Sequence, residues 1–260
     1  MTVVRLVTWL APGIPLDLFA RIRTVLEWKL EMNVVLASRT KRSGPRAGSL
    51  EPFASGDAEV GFLCAPAAIP EQVRLTGGFE LSGLAPVFDD ERYAGLPICF
   101  CDIVVHANHP AHDLDDLRGS RFGFNDVSSL SGWLGLHSAL VRRGSGVSDF
   151  FSSVVQTGGH LQSLEQLRTG RIEVASIDSN VLQTHAKALD GLRTVHSIGP
   201  WPSQPVVFRK SLSRQTKSRL YDALLSCGPW PAFNFIGFRE QETSLLMGVP
   251  SAVQADPLGH

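Results

Sequence analysis

Residues 121–132 read Arg121-Phe122-Gly123-Phe124-Asn125-Asp126-Val127-Ser128-Ser129-Leu130-Ser131-Gly132. The first five form a predicted strand. The polar run after them opens a helix predicted to reach about Arg143. Its residues Leu130, Trp133, Leu134, His137 and Leu140 recur at the spacing of one helix face. Arg142-Arg143-Gly144 then puts basic residues in the last turn and a glycine just past it, as the macrodipole and the C-cap favour. Two more units of this kind follow at once. A strand over 151–156 runs into Thr157-Gly158-Gly159-His160 and a helix over 161–168. A strand over 172–177 runs into Asp178-Ser179-Asn180 and a helix over 181–189. Strands alternating with helices predict an α/β protein of parallel sheets covered by helices on both faces.

The pattern extends outward from this centre. A strand over 3–9 leads through Ala11-Pro12-Gly13-Ile14-Pro15 to a helix over 16–32, whose apolar stripe is Leu18, Phe19, Ile22, Val25, Leu26 and Leu30. A strand over 33–37, a short helical piece over 49–54 and a strand over 59–63 complete the first third. The long apolar run 97–106 reads as a strand passing out of a first lobe. A strand over 206–209 reads as the return, and a helix over 213–225 follows it. We therefore expect two α/β lobes joined by a two-strand hinge, with residues 1–102 and 203–260 in the first and 103–202 inserted as the second. Residues 229–260 show no clear period, and the end from Ala252 is expected to be loose.

Position singles out the chemistry. Ser128, Ser129 and Ser131, then His160, then Asp178 each fall just past the carboxyl end of a predicted strand. That is where open α/β sheets bind ligands. A helix first turn exposes backbone N–H groups, serine hydroxyls add donors, and Gly132 lets another backbone approach, so the turn can cradle an anion with no full positive charge. A helix start disfavours a protonated imidazole, so His160 is expected to be a neutral donor. Asp178 repels a dianion and suits a ligand that keeps one proton or carries an ammonium group. It also suits a plain helix cap.

Composition removes other classes. The chain has 260 residues, 24 Lys and Arg against 25 Asp and Glu, and a net charge of −1, so it lacks the basic excess of a nucleic-acid binder. The basic run from Arg39 to Arg42, with Arg46 beyond it, reads as a solvated loop. No stretch is long and apolar enough to insert in a membrane. The residues after Met1 alternate like a strand rather than a secretory signal, so a cytoplasmic location is expected, with a periplasmic one as the alternative if a leader has been trimmed. Cys64, Cys99, Cys101 and Cys227 read as buried free thiols. His106, His109 and His112 are interrupted by Pro110, so no metal site is assigned, and no cofactor motif is present.

Four stretches carry a family resemblance: residues 53–60, residues 93–105, residues 122–132, and Gly158-Gly159-His160 with Ile177-Asp178-Ser179-Asn180. Here the chain resembles the substrate-binding proteins of phosphate, phosphite and phosphonate ABC transporters, the PhnD-like family. The resemblance implies a type II periplasmic-binding-protein-like fold that closes on a small oxyanion in an interlobe cleft. Ser128, Ser129, Ser131, Gly132 and His160 would hold its oxygens and Asp178 would line the cleft. Tyr93, Trp9, Leu10, Cys64 and Ala65 would close it. The implied partners are the anion and either an ABC permease or a sensor protein.

The alternative is an enzyme on the same fold. It would be of the menaquinone- or thiamine-precursor type, or a hydrolase using Ser131 or Ser128, His160 and Asp178 as nucleophile, base and orienter. The serine is not on a strained elbow, so no catalytic residue is assigned.

Overall fold

The structure is a computed structural model that describes residues 3–40, 43–45, 51–69, 78–185 and 187–250. Lys41, Arg42 and Arg46 of the basic run, the start of the helical piece expected over 49–54, and the end from Ala252 lie outside the described residues. Residues 51–54 form turns rather than helix.

The chain divides into two compact units, one built from residues up to Ile98 together with Pro202–Val249, the other from Cys99–Trp201. The first unit opens with β1 (Val3–Thr8), α1 (Leu16–Leu30), β2 (Asn33–Ser38), β3 (Val60–Phe62), β4 (Phe79–Leu81) and β5 (Leu84–Phe88). Helix α1 forms because Leu18, Phe19, Ile22, Leu26 and Leu30 repeat on one face and are all buried. Asp17 in its first turn and Lys29 in its last complement the macrodipole. It stops at Glu31, which takes left-handed backbone angles (φ 54°), and Arg219 donates to the Leu30 carbonyl.

Next come β6 (Ile98–His106), β7 (Arg121–Phe124), a π-helical turn (Leu130–Leu134), α2 (Gly135–Arg142), α3 (Val147–Phe150), β8 (Ser153–Gln156), α4 (His160–Arg168), β9 (Val174–Asp178), α5 (Ser179–Thr184) and β10 (Leu192–Pro202). The chain then adds β11 (Val206–Arg209), α6 (Arg214–Leu225), β12 (Phe235–Glu240) and α7 (Thr243–Met247) to the first unit.

In the first unit the sheet order is β2-β1-β3-β11-β4. Strand β1 runs parallel to β2 and β3, and β11 runs antiparallel to β3 and β4. Its core includes Val7, Trp9, Phe53, Ala58, Leu63, Ala68, Phe79 and Val207. Strands β5 and β12 form a separate antiparallel ribbon with a register shift between Phe235 and Gly237. In the second unit the order is β10-β6-β9-β7-β8. Strand β7 runs parallel to β8 and β9, and β6 runs antiparallel to β9.

Both sheets are therefore mixed, which corrects the expectation of parallel ones. Strand–helix alternation fixes the direction of strands linked by a helical crossover. It says nothing of β6 and β11, which enter their sheets without one.

An aromatic stack supports the middle of the second sheet. The Phe122 ring lies 4.7 Å from Phe151 and 6.3 Å from Trp133, and Trp133 lies 4.5 Å from Phe124. Phe122 and Trp133 are fully buried. Phe122→Ala removes the central ring, and large-to-small core changes of this kind cost about 3–5 kcal/mol. Chemical denaturation should show a loss of that order with the slope of the transition unchanged. A loss below about 1 kcal/mol would mean the stack is not structural.

Candidate functional site

Three parallel strand ends define the site. Register pairs Arg121 with Ser153 through Phe124 with Gln156, and Phe122 with Val174, so the carboxyl ends of β7, β8 and β9 lie side by side. The segments leaving them carry Asn125 to Gly132, Thr157 to His160, and Asp178 to Asn180.

The turn after β7 is built by its own side chains. Asp126 Oδ1 accepts from both the amide and the hydroxyl of Ser128, at 2.8 and 2.7 Å. Ser129 is the N-cap, and its Oγ accepts from the Gly132 amide at 3.1 Å. The Ser129 carbonyl receives the amides of both Trp133 and Leu134, at 3.2 and 3.0 Å, which is how the turn widens to a π geometry. The Leu130 carbonyl also accepts from Cys101 Sγ at 3.6 Å. Two glycines give the turn its room. A β-carbon on Gly132 would overlap Asn125 Oδ1, and one on Gly135 would overlap Cys101 Sγ.

Ser131 stands at the centre. It is 1% exposed, and its Oγ donates to Asp178 Oδ2 at 3.1 Å. The same Oγ lies 3.3 Å from His160 Nε2. The Ser131 carbonyl accepts from Ser176 Oγ. Asp178, 5% exposed, caps α5 through Oδ1, which accepts from the Asn180 amide at 2.9 Å. Its capping role and its place in the site thus coexist, one carboxylate oxygen serving each. His160 begins α4, and its Nε2 also lies 3.4 Å from Asn125 Nδ2. The residue is partly exposed, yet its Nδ1 is buried with no hydrogen-bond partner. Burial pushes the imidazole down to about 4, and the Asp126 carboxylate only partly opposes this, so the ring is neutral at ordinary pH.

The structure thus brings Ser131, Gly132, His160 and Asp178 together, with Ser129 one capping bond away. The serines are less alike than their spacing suggests. The hydroxyl protons of Ser128 and Ser131 go to carboxylates, and that of Ser129 stays available to an acceptor. Trp9, Leu10, Cys64, Ala65 and Tyr93 lie in the first unit. All are buried except Leu10, which is half-buried.

Two residues outside the expected set belong here: Asn125 and Ser176. Asn125 was legible as a polar residue closing an apolar strand. Ser176 gave no sign, being a small residue within one. A hydrolytic triad would hold His160 Nδ1 with an acid, and that nitrogen has no partner. Among the described residues no acid, histidine and cysteine cluster could hold a metal. His106 and His109 instead accept the backbone N–H of Asn108 and Ala111 at Nδ1. The four cysteines are buried and form no disulfide.

Two mixed α/β units, with polar groups gathered at the carboxyl ends of the second sheet, define a type II periplasmic-binding-protein-like fold. The family model for the periplasmic substrate-binding protein of phosphonate ABC transporters matches residues 79–244, and the chain belongs to that family. The phosphonates-binding periplasmic protein of Escherichia coli (strain K12) is 29% identical over 147 residues. That alignment spans 53% of this chain and only 43% of the relative. PhnD1 from Prochlorococcus marinus (MIT 9301), solved with methylphosphonate, matches at a TM-score of 0.74 and 14% identity, covering 94% of each chain. A Xanthomonas citri protein solved bound to ATP matches at 0.67 and 18%, covering 98% of each. The family is described as periplasmic, which gives no support to the expected cytoplasmic location. Among the described residues no helix is long and apolar enough to cross a membrane.

The lowered imidazole sets a pH dependence. His160 binds its proton more weakly folded than unfolded, so the stability it contributes is present above the ordinary value of 6.5 and is lost as pH falls toward about 4. The loss is up to about 1.4 kcal/mol per pH unit across that window. NMR titration of the ring in ligand-free protein should give a midpoint near the lower value. His160→Gln should flatten the stability slope, and a midpoint above 6 would show the ring is not desolvated.

Proposed function

We propose that the protein binds a small phosphonate-type oxyanion at the turn after β7 and delivers it to an ABC permease from the periplasmic side of a membrane. The observation that carries this reading is the meeting of Ser131, His160 and Asp178 at one helix start, with a neutral imidazole beside it. The Ser131 amide lies in the first turn, beyond reach of any carbonyl of its own helix. That amide, the Ser129 hydroxyl and His160 supply donors to an oxyanion, while the dipole of the turn and α2 favours negative charge there. Asp178 accepts a hydrogen bond from an ammonium or P–OH group on the same ligand. Family membership and the methylphosphonate bound by the Prochlorococcus protein support the ligand class. We keep Ser128, Tyr93, Trp9, Leu10, Cys64 and Ala65 as proposed ligand contacts.

Calorimetry against methylphosphonate, aminoethylphosphonate, phosphite and phosphate tests the reading. ATP joins the panel because the Xanthomonas relative holds it. At least one phosphorus oxyanion should bind and raise the melting temperature. A hydrogen bond to a charged group contributes about 1.5–3 kcal/mol, so Ser129→Ala, which removes the hydroxyl left available to an acceptor, should weaken binding by about 10- to 100-fold. Asp178→Asn should erase any preference for the aminoethyl over the methyl compound. Neither heat nor a melting shift with any of the five would sink the proposal.

A further inference from the structure

The donors around His160 can be counted. Ser131 has one hydroxyl proton, and a carboxylate oxygen that can only accept stands 3.1 Å away, so the proton goes to Asp178. Ser131 therefore turns lone pairs toward His160 Nε2 at 3.3 Å, while the Asn125 amide nitrogen turns N–H toward the same atom at 3.4 Å. These two neighbours ask opposite things of the ring. Ser131 favours a proton on Nε2, and Asn125 favours a bare Nε2 with the proton on Nδ1.

The orientation of the Asn125 amide decides between them. Its Oδ1 is buried without a hydrogen-bond partner and lies against Gly132, where a β-carbon would collide with it. Gly132 is in the first turn of the helical run that α2 continues, the positive end of its dipole. A carbonyl oxygen is stabilised there and an NH2 group is not. Oδ1 therefore stays at the turn, and Nδ2 stays on His160. Asn125 is only 8% exposed, so water does not rescue the flipped amide.

We propose that Asn125 is a positioning residue that fixes the tautomer of His160, keeping Nε2 as an acceptor beside Ser131 and the proton on Nδ1. Gly132 belongs to the same device, because only a residue without a β-carbon leaves the amide oxygen its place. The inference deepens the anion-binding reading and takes its purpose from it, but the tautomer itself is independent of any ligand. A failure to bind anions and a wrong tautomer are thus separate results.

Long-range proton–nitrogen correlation on ligand-free, nitrogen-15-labelled protein at pH 7 reads the tautomer, with His160 assigned by comparison with His160→Gln. The wild type should show a protonated Nδ1 and a bare Nε2. In Asn125→Ala only Ser131 remains beside Nε2, so the proton should move there, and methylphosphonate affinity should fall at least tenfold. Ser131→Ala is the second variant. With its lone pairs gone, the wild-type tautomer should persist. A wild-type proton on Nε2, an unchanged tautomer in Asn125→Ala, or a switch in Ser131→Ala would each overturn the assignment.

Discussion

Asp178 is buried at the end of β9, and a carboxylate there is tolerated only if donors surround it. The Asn180 amide supplies one and the Ser131 hydroxyl another. The second bond ties the turn after β7 to the neighbouring strand end. Ser176 sits two residues before Asp178 on the same strand, so both side chains leave the same face. One takes the hydroxyl proton of Ser131 and the other donates to its carbonyl. Strand β9 thus grips Ser131 at two points, fixing its rotamer and its peptide plane together. Everything else in the site is arranged around that grip.

The grip imposes a geometry on the chain around it. Ser131 is buried between the strand ends, and the turn that carries it is not an ordinary α-helical start. The turn widens instead, sharing the Ser129 carbonyl between two amides, and the crowding this causes is relieved at Gly132 and Gly135. Cys101 fills the space beside Gly135 and donates to Leu130, so a residue that reads as an inert core thiol completes the outer wall of the turn. The aromatic stack of Phe122, Phe124 and Trp133 packs below and carries the turn on a rigid base.

Much of this could be read from the sequence, for reasons that differ by element. Helix α1 and the three strand-to-helix units were legible because their apolar periods are unbroken and their punctuation is strong. The convergence of Ser131, His160 and Asp178 was legible because crossover strands align their carboxyl ends. Strands β5 and β10 were not. Pro86 in one and Gly199-Pro200 in the other read as breakers, and they are tolerated because β5 has one partner only and β10 is the sheet edge. The separate fates of the three serine protons were hidden too, since spacing alone does not say which hydroxyl meets a carboxylate. Gly132 showed that room was needed but not for what, and the answer is the amide of Asn125.

The absence of lysine and arginine from this cluster follows from the same proton count. A guanidinium at Ser131 would pair with Asp178 and cancel it, leaving neither group for a ligand. Neutral donors set over two carboxylates make a site with both signs of polarity. Under the proposed reading an anionic oxygen would meet the backbone amide and the Ser129 hydroxyl, with Asp126 and Asp178 lying behind. A charge touching Ser131 would sit roughly 5 Å from the Asp178 carboxylate, and at an effective dielectric of about 20 two like charges repel there by about 3 kcal/mol. A monoanion or a zwitterion reduces that repulsion, and its own proton or ammonium turns part of it into attraction. On the proposed reading, selectivity would then come from how many protons the ligand brings as much as from its shape.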